Sequence, residues 1–516
     1  MDTVNKALAS LTGNEIALSL AVVLLVAIAR SSAKRNDGPP LVPYLVPWVG
    51  SAVTMGKDPD AFFTMAKEKF GAMFAVKSIG QKLTYVTDPA LISAVYRDPK
   101  SFEFTPIRLD ISQKIFALSH GVCNDGWMTG DYFSMHHRAL SPSGIQPLLA
   151  SYTTHAISCI SEALSALPPS TSAGSSPSCK TSLAPLIVPP AFYSAAHTFF
   201  GASFPAKDVY GDFRTFDGSF HLMLAGAPKW LVSAPHDAYA RILDKVERFL
   251  DGPHEDVCQL MHDTEIGARA QGWGKRDIAA AFASDLWALE ANAIWAVYWV
   301  IALCLQQSHG LEPLVKELQE ARAAWSAANP SSPFPSDLLD PSAAVTITSF
   351  IATSSLPLLT SSIYEALRYA TSSFSIRRVT RDLVFPTNPE AFGLERSYSF
   401  TEGERIVCAT RAVHQDKGIH DDAEEFKFDR YAGCKMNEGK MGRSQFLPFG
   451  GGVSMCEGRH FALGEIKTYL TILLLSATFE VDSGSSARPV LLKERIGVGI
   501  MPPKGDLDVI VRRREN

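Results

Sequence analysis

No Cys-x-x-Cys pair occurs in this 516-residue chain: its eight cysteines, Cys123, Cys159, Cys179, Cys258, Cys304, Cys408, Cys434 and Cys456, stand singly. That leaves neither a zinc-site spacing nor a disulfide framework. Positive charge is not in surplus either, since the net charge is −5 and no long Lys/Arg block is present. Nucleic acid is therefore excluded as a partner on charge. There is no internal repeat, and past the first fifty residues no second break in composition divides the chain. With 46% hydrophobic and 10% aromatic residues, it can bury one large core.

The N-terminal region carries an address. Residues 16 to 29, "IALSLAVVLLVAIA", are apolar except for Ser19, with Asp2, Lys6 and Glu15 before them and Arg30, Lys34 and Arg35 after. At about 1.5 Å per residue the run spans a bilayer core of roughly 30 Å only if its flanks help. The basic residues follow rather than precede it, which indicates an uncleaved anchor with the body on the cytoplasmic side. A signal peptide cleaved after "AIA" is the alternative. In "GPPLVPYLVPWVG", residues 38 to 50, four prolines hold the chain extended, as a stiff spacer would. The division expected is an anchor over 1–36, a proline-rich hinge over 37–50 and a single catalytic domain over 51–516.

Alternation around Gly80 predicts a hairpin from residue 73, changing to helical spacing after Pro89. Helical patterns cover 145–166, 240–263, 275–307, 311–328, 355–370 and 456–475, and the Pro/Ser-rich stretches 167–190 and 329–343 read as surface loops. The fold expected is mainly α with a minor β-sheet.

The chemistry-bearing stretch is "FLPFGGGVSMCEGRHFALGEIK", residues 446 to 467, in which Phe449, Gly452, Cys456 and Gly458 satisfy FxxGxxxCxG. A thiolate that binds a metal needs backbone N–H groups near its sulfur to lower its basicity. Gly450, Gly451 and Gly452 let the backbone approach closely and take dihedrals closed to other residues. A helix beginning at Cys456 would point its positive end at the sulfur.

This loop resembles that of the cytochromes P450, where it presents the axial thiolate of haem b. Glu365 and Arg368 in "SIYEALRYA" match the family's ExxR pair, and Arg430 in "FKFDRYAG" matches the arginine that joins it. The resemblance covers nearly the whole chain. "LWALEANAIWAVYWVIALCL" (286–305) and "EALRYATSSFSIR" (365–377) narrow it to the branch containing cholesterol 7-alpha-hydroxylase and prostacyclin synthase. The wording of the cysteine loop is similar to that of fungal members in secondary metabolism.

Departures from the wider family define the remaining candidates. The acid–threonine pair of the central helix is missing, with Ala291 and Asn292 in its place. Asn292 is the candidate for orienting a water or substrate oxygen, with Glu290 as a rival proton relay, and a buried structural amide is the alternative for Asn292. Ala288, Glu290 and Trp295 are the residues to watch on that helix, whereas the Trp/Tyr run that includes Trp287, Tyr298 and Trp299 reads as core. Ser454 replaces the usual basic haem-propionate partner, so Arg377, adjacent Arg378, or Arg138 and His137 in "DYFSMHHRALSP" are left to neutralise the propionates. The resemblance implies a monooxygenase of the endoplasmic reticulum membrane acting on a bulky lipophilic molecule such as a terpenoid, steroid or alkaloid. Its electrons would come from NADPH through a partner reductase, with cytochrome b5 as a further partner. A peroxide-rearranging isomerase or dehydratase and a non-enzymatic haem protein are the rival readings. Substrate contacts are expected around 100–125, 190–240 and 480–500.

Overall fold

The computed structural model describes residues 37–167, 178–433 and 445–514. The expected anchor, residues 1–36, and Cys434 lie outside the described residues. The described fold is mainly helical with small sheets, in agreement with the sequence pattern.

The five-stranded sheet begins with the predicted hairpin, β1 (Met73–Ser78) and β2 (Gln81–Val86), antiparallel with Met73 opposite Val86. β3 (Phe102–Glu103), β4 (Phe374–Val379) and β5 (Arg405–Ala409) complete it in the order β1-β2-β5-β4-β3, with β2 and β5 parallel and the other pairs antiparallel. The proline-rich stretch is no free spacer, because Val42 is buried and donates its N–H to Ala75 of β1, and Gly50 bridges to Ser78. Val42 alone of its large apolar residues is fully covered, while Leu45, Val46 and Trp48 stay exposed.

The helices that build the site are α1 (Pro59–Phe70), α2 (Pro89–Arg97), α3 (Thr105–Lys114), α4 (Phe133–Ala139), α5 (Ile145–Ser165), α6 (Leu183–Phe200), α7 (Ala206–Gly218), α8 (Lys275–Leu305), α9 (Pro357–Ala370) and α10 (Arg459–Ser476). α8, 31 residues long and apolar on nearly every side, runs through the core and packs against α6, α9 and α10. All-round hydrophobicity is what a helix enclosed by others requires. Among the described residues α8 is the one single helix long and apolar enough to cross a membrane, and it is enclosed by protein.

Two predicted boundaries moved. The pattern over 240–263 is two helices, Ser233–Asp251 and Gln259–Ala270, because Gly252 and Pro253 end the first. The stretch expected as a loop to residue 190 holds a strand, Ser178–Ser182, and then α6, which contains Pro189 and Pro190. Burial of most of α6's side chains outweighs the two lost backbone donors.

Candidate active site

The cysteine loop is built against α2. Gly450 and Gly452 have φ of +69° and +71°, and a Cβ on Gly452 would lie 2.8 Å from the Tyr96 carbonyl oxygen. Gly451 is extended, but a Cβ there would stand 2.5 Å from the Tyr96 ring. The loop closes when Cys456 donates its N–H to the Phe449 carbonyl at 3.0 Å. Helix α10 starts at Arg459, with Gly458 as its N-cap, three residues later than the sequence suggested. The cysteine thus precedes the helix, and the N–H groups of Gly458 and Arg459 reach its sulfur.

Burial raises the Cys456 thiol, while those N–H groups and the Arg459 charge pull it back down. The same residue is exposed. The surrounding protein thus desolvates the sulfur while part of the residue stays accessible. Ala288 is likewise exposed and Asn292 half-buried, one turn apart on the mostly enclosed α8, so that face is open.

A continuous chain of bonds joins these two places. Asn292 Oδ1 accepts the Ile500 N–H at 2.8 Å, and a Cβ on Gly499 would fall 1.7 Å from that oxygen. The Gly499 carbonyl accepts from Ser372 N, and the Gly497 carbonyl from Phe374 N at the start of β4. Along β4, Arg377 turns inward while Arg378 is exposed. Arg377 donates to Ser454 Oγ at 2.7 Å and to the Gly451 carbonyl at 3.3 Å, which returns the path to the cysteine loop.

Arg377 is 4% exposed, and among the described residues no carboxylate pairs with it. Burial draws its guanidinium down from the ordinary range. A buried cation held by hydroxyls, carbonyls and the rings of Tyr96 and Phe104, beside the cysteine loop, fits an anionic group of a bound cofactor. Arg108 of α3 is a second cation there: it reaches Glu457 at 3.5 Å and stands over the rings of Phe133 and Phe104, the latter shared with Arg377. No local motif marks Arg108 in the sequence, and only the packing of α3 brings it to the loop.

Other candidates lie elsewhere. Arg138 and His137 are exposed, and the inward residue of α4 is His136, which meets Asp285 of α8 at 3.1 Å. Glu290 is enclosed, and both its carboxyl oxygens lack a hydrogen-bond partner among the described residues. Two residues from Asn292, it sits about 200° round the helix at roughly 100° per residue, and so faces away from Asn292. Burial, with the carboxyl of Glu465 nearby, pushes it well above the usual carboxylate range, so it is a neutral acid in the core. Trp295 is buried beneath the Arg214 guanidinium, and Tyr298 and Trp299 are fully buried, as core residues.

Beneath the loop, Glu365 and Arg368 form a fully buried pair, Oε2 to Nε at 2.7 Å and Oε1 to Nη2 at 2.8 Å. Arg430 Nε joins Glu365 Oε1 at 2.9 Å. Arg368 also donates to the carbonyls of His414, Ala423 and Glu425, and His414 Nε2 accepts the Leu447 N–H at 2.8 Å. The three residues that the sequence grouped therefore meet, and they connect α9 to the start of the cysteine loop.

Comparison with known proteins gives one family match, Cytochrome P450, over residues 346–509. The chain is 24% identical to the cholesterol 7-alpha-monooxygenase of Cricetulus griseus over 514 residues, covering 96% of this chain and 97% of that one. It is 25% identical to the prostacyclin synthase of Rattus norvegicus over 513 residues, covering 93% and 95%. It is also 25% identical to cytochrome P450 7B1 of Mus musculus over 517 residues, covering 96% and 94%.

Proposed function

As a member of the cytochrome P450 superfamily, this chain is, we propose, a haem-thiolate monooxygenase that oxidises a bulky lipophilic molecule. The net reaction takes a substrate C–H bond, O2, two electrons and two protons to a C–OH bond and water, with NADPH as electron source through a partner reductase. The observation that carries the reading is Cys456: an accessible thiol approached by two helix-terminal N–H groups, with Arg377, which pairs with no carboxylate among the described residues, near its loop.

Haem b, when bound, supplies the iron at which O2 is activated. Cys456 would hold that iron, and Gly458 and Arg459 would temper the sulfur's basicity through their amides. Arg377, Ser454 and Arg108 would receive the propionates. The Asn292 carbonyl is already used by Ile500, so its amide N–H groups are left to donate to an oxygen at the open face of α8. Glu365, Arg368 and Arg430 fix the chain that leads into the loop.

The finer parts of the reading are an endoplasmic-reticulum anchor over residues 1–36, a hinge over 37–50, a catalytic domain over 51–516, cytochrome b5 as a second electron donor, and a place in secondary metabolite biosynthesis. The charge order around residues 16–29 supports the anchor, and the wording of the cysteine loop supports the metabolic setting. A second reading, rearrangement of a substrate peroxide without O2 or reductase, is favoured by the asparagine that replaces the acid–threonine pair. NADPH dependence of turnover separates the two.

The test is the reduced carbon-monoxide spectrum of the purified protein. The wild type should show the thiolate-type Soret shift, and Cys456→Ala should lose both the shift and turnover. A shift retained in Cys456→Ala would overturn the assignment.

A further inference from the structure

Helices α5, α9 and α10 and the helix Ala344–Thr353 leave a gap where they meet. α10 comes into contact with α5 at Gly464, where a Cβ would lie 2.7 Å from Leu149 Cδ2. Beside that contact is a cavity of about 240 Å³ lined by residues of all four helices. Leu149, Ile351 and Leu463 give it apolar walls, Thr360 and Thr468 bring hydroxyls, and Lys467 brings an amine. No residue of the cysteine loop or of the path through Arg377 and Asn292 lines it. Pockets for larger molecules begin near about 300 Å³, so only a short one fits here.

Lys467 is half-buried and, among the described residues, makes no hydrogen bond or ion pair. Burial draws its ammonium below the ordinary lysine range, with the charge of Glu317 pulling the other way. Glu317, on the helix Glu312–Ala328, is committed elsewhere: its two oxygens accept the N–H groups of Leu358 and Leu359 in the first turn of α9, at 2.7 and 2.8 Å. That is the end of a helix where a carboxylate belongs. Two threonines of the lining are also satisfied, since Thr348 and Thr153 bond to each other at 3.0 Å and Thr153 donates to the Leu149 carbonyl. The Thr360 and Thr468 hydroxyls make no hydrogen bond among the described residues. An amine and two hydroxyls without partners therefore share one apolar cavity, and a partly desolvated cation without an acceptor costs stability until an anion meets it.

We propose that this cavity binds a short-chain carboxylate, with its head on Lys467 Nζ and the Thr360 and Thr468 hydroxyls and its chain along Leu149, Ile351 and Leu463. An alcohol of the same length fills the same apolar walls but forfeits the charge-assisted bond. A second carboxylate at the far end of the chain would be left on those walls without a partner. The site stands apart from the cysteine loop, and nothing in it rests on the monooxygenase reading.

The experiment is titration calorimetry of the holoenzyme with hexanoate and with hexan-1-ol. The wild type should bind hexanoate about tenfold or more tighter than the alcohol. Lys467→Met should bring hexanoate down to the alcohol's affinity, and Lys467→Arg should keep the preference. Ala352→Phe, on the exposed rim of the cavity, fills the space without touching the amine and should weaken hexanoate by a similar factor. Equal binding of acid and alcohol by the wild type overturns the proposal. So does a hexanoate preference that survives Lys467→Met, which places the acid elsewhere on the protein, or one that Ala352→Phe leaves unchanged.

Discussion

Gly452 shows how a single residue sets the site. Its left-handed φ and the nearness of the Tyr96 carbonyl each forbid a side chain. Gly452→Ala should therefore cost upwards of about 1–2 kcal/mol from the dihedral alone and lower haem content, both measurable by denaturant titration and the pyridine haemochrome. Haem content and stability equal to wild type would show that the loop relaxes without cost. Asn292 is the other decisive residue. With its carbonyl tied to Ile500 and its amide free to donate, Asn292→Ala should lower product formed per NADPH consumed by more than it lowers NADPH consumption. Unchanged coupling with reduced stability would leave Asn292 as a structural link alone. The loop glycines, whose positive φ the structure shows at Gly450 and Gly452, were legible in sequence because they lie in a local motif. Arg108 was not, since it reaches Glu457 only through the packing of α3. Glu290, weighed as a rival relay, lies instead enclosed in the core on the far side of α8 from Asn292.

At the scale of elements, α9 holds the cysteine loop through a buried charge cluster. Removing one member strands the other without water, so Glu365→Ala leaves Arg368 buried and unpaired and should destabilise by about 3–5 kcal/mol. Haem-loaded yield and the denaturation midpoint measure it; a wild-type midpoint would mean the backbone carbonyls suffice for Arg368. A second clip, between α4 and α8, depends on pH. Burial alone would lower His136, but the Asp285 charge and hydrogen bonds outweigh it and the pKa ends raised. A group raised in the folded state stabilises fully below its unfolded pKa, about 6.5, and loses that contribution as pH rises through the folded value. Melting temperature should therefore fall as pH rises above about 6.5, and His136→Gln should flatten that part of the profile. An identical slope in the variant would assign the dependence to another group. Long helices were readable within a few residues, α5 and α9 from their periodicity and α8 from its unbroken apolar length. α6 was not, because two prolines argued for a loop and only burial against α5 and α8 decides for a helix.

For the whole molecule, the proposed anchor raises the question of which side would face a bilayer, and the described surface bears on it independently of residues 1–36. Trp230 and Leu231 are 79% and 56% exposed, and Leu45 and Trp48 are 86% and 55% exposed. Both pairs flank the tip of the β1–β2 hairpin: the Trp48 ring lies against Gly80, and Gln81 approaches Gly226. Exposed large apolar side chains gathered beside one hairpin mark an interaction face. Deleting residues 1–36 should leave haem binding intact, since the described core starts at Val42. Pelleting with phospholipid vesicles should fall sharply yet stay above background. Adding Trp230→Ser and Leu231→Ser to the deletion should then abolish what remains, with the Soret shift unchanged. Complete loss on deletion alone would confine membrane attachment to the N-terminal segment, and a shortened protein without haem would place part of the core before residue 37.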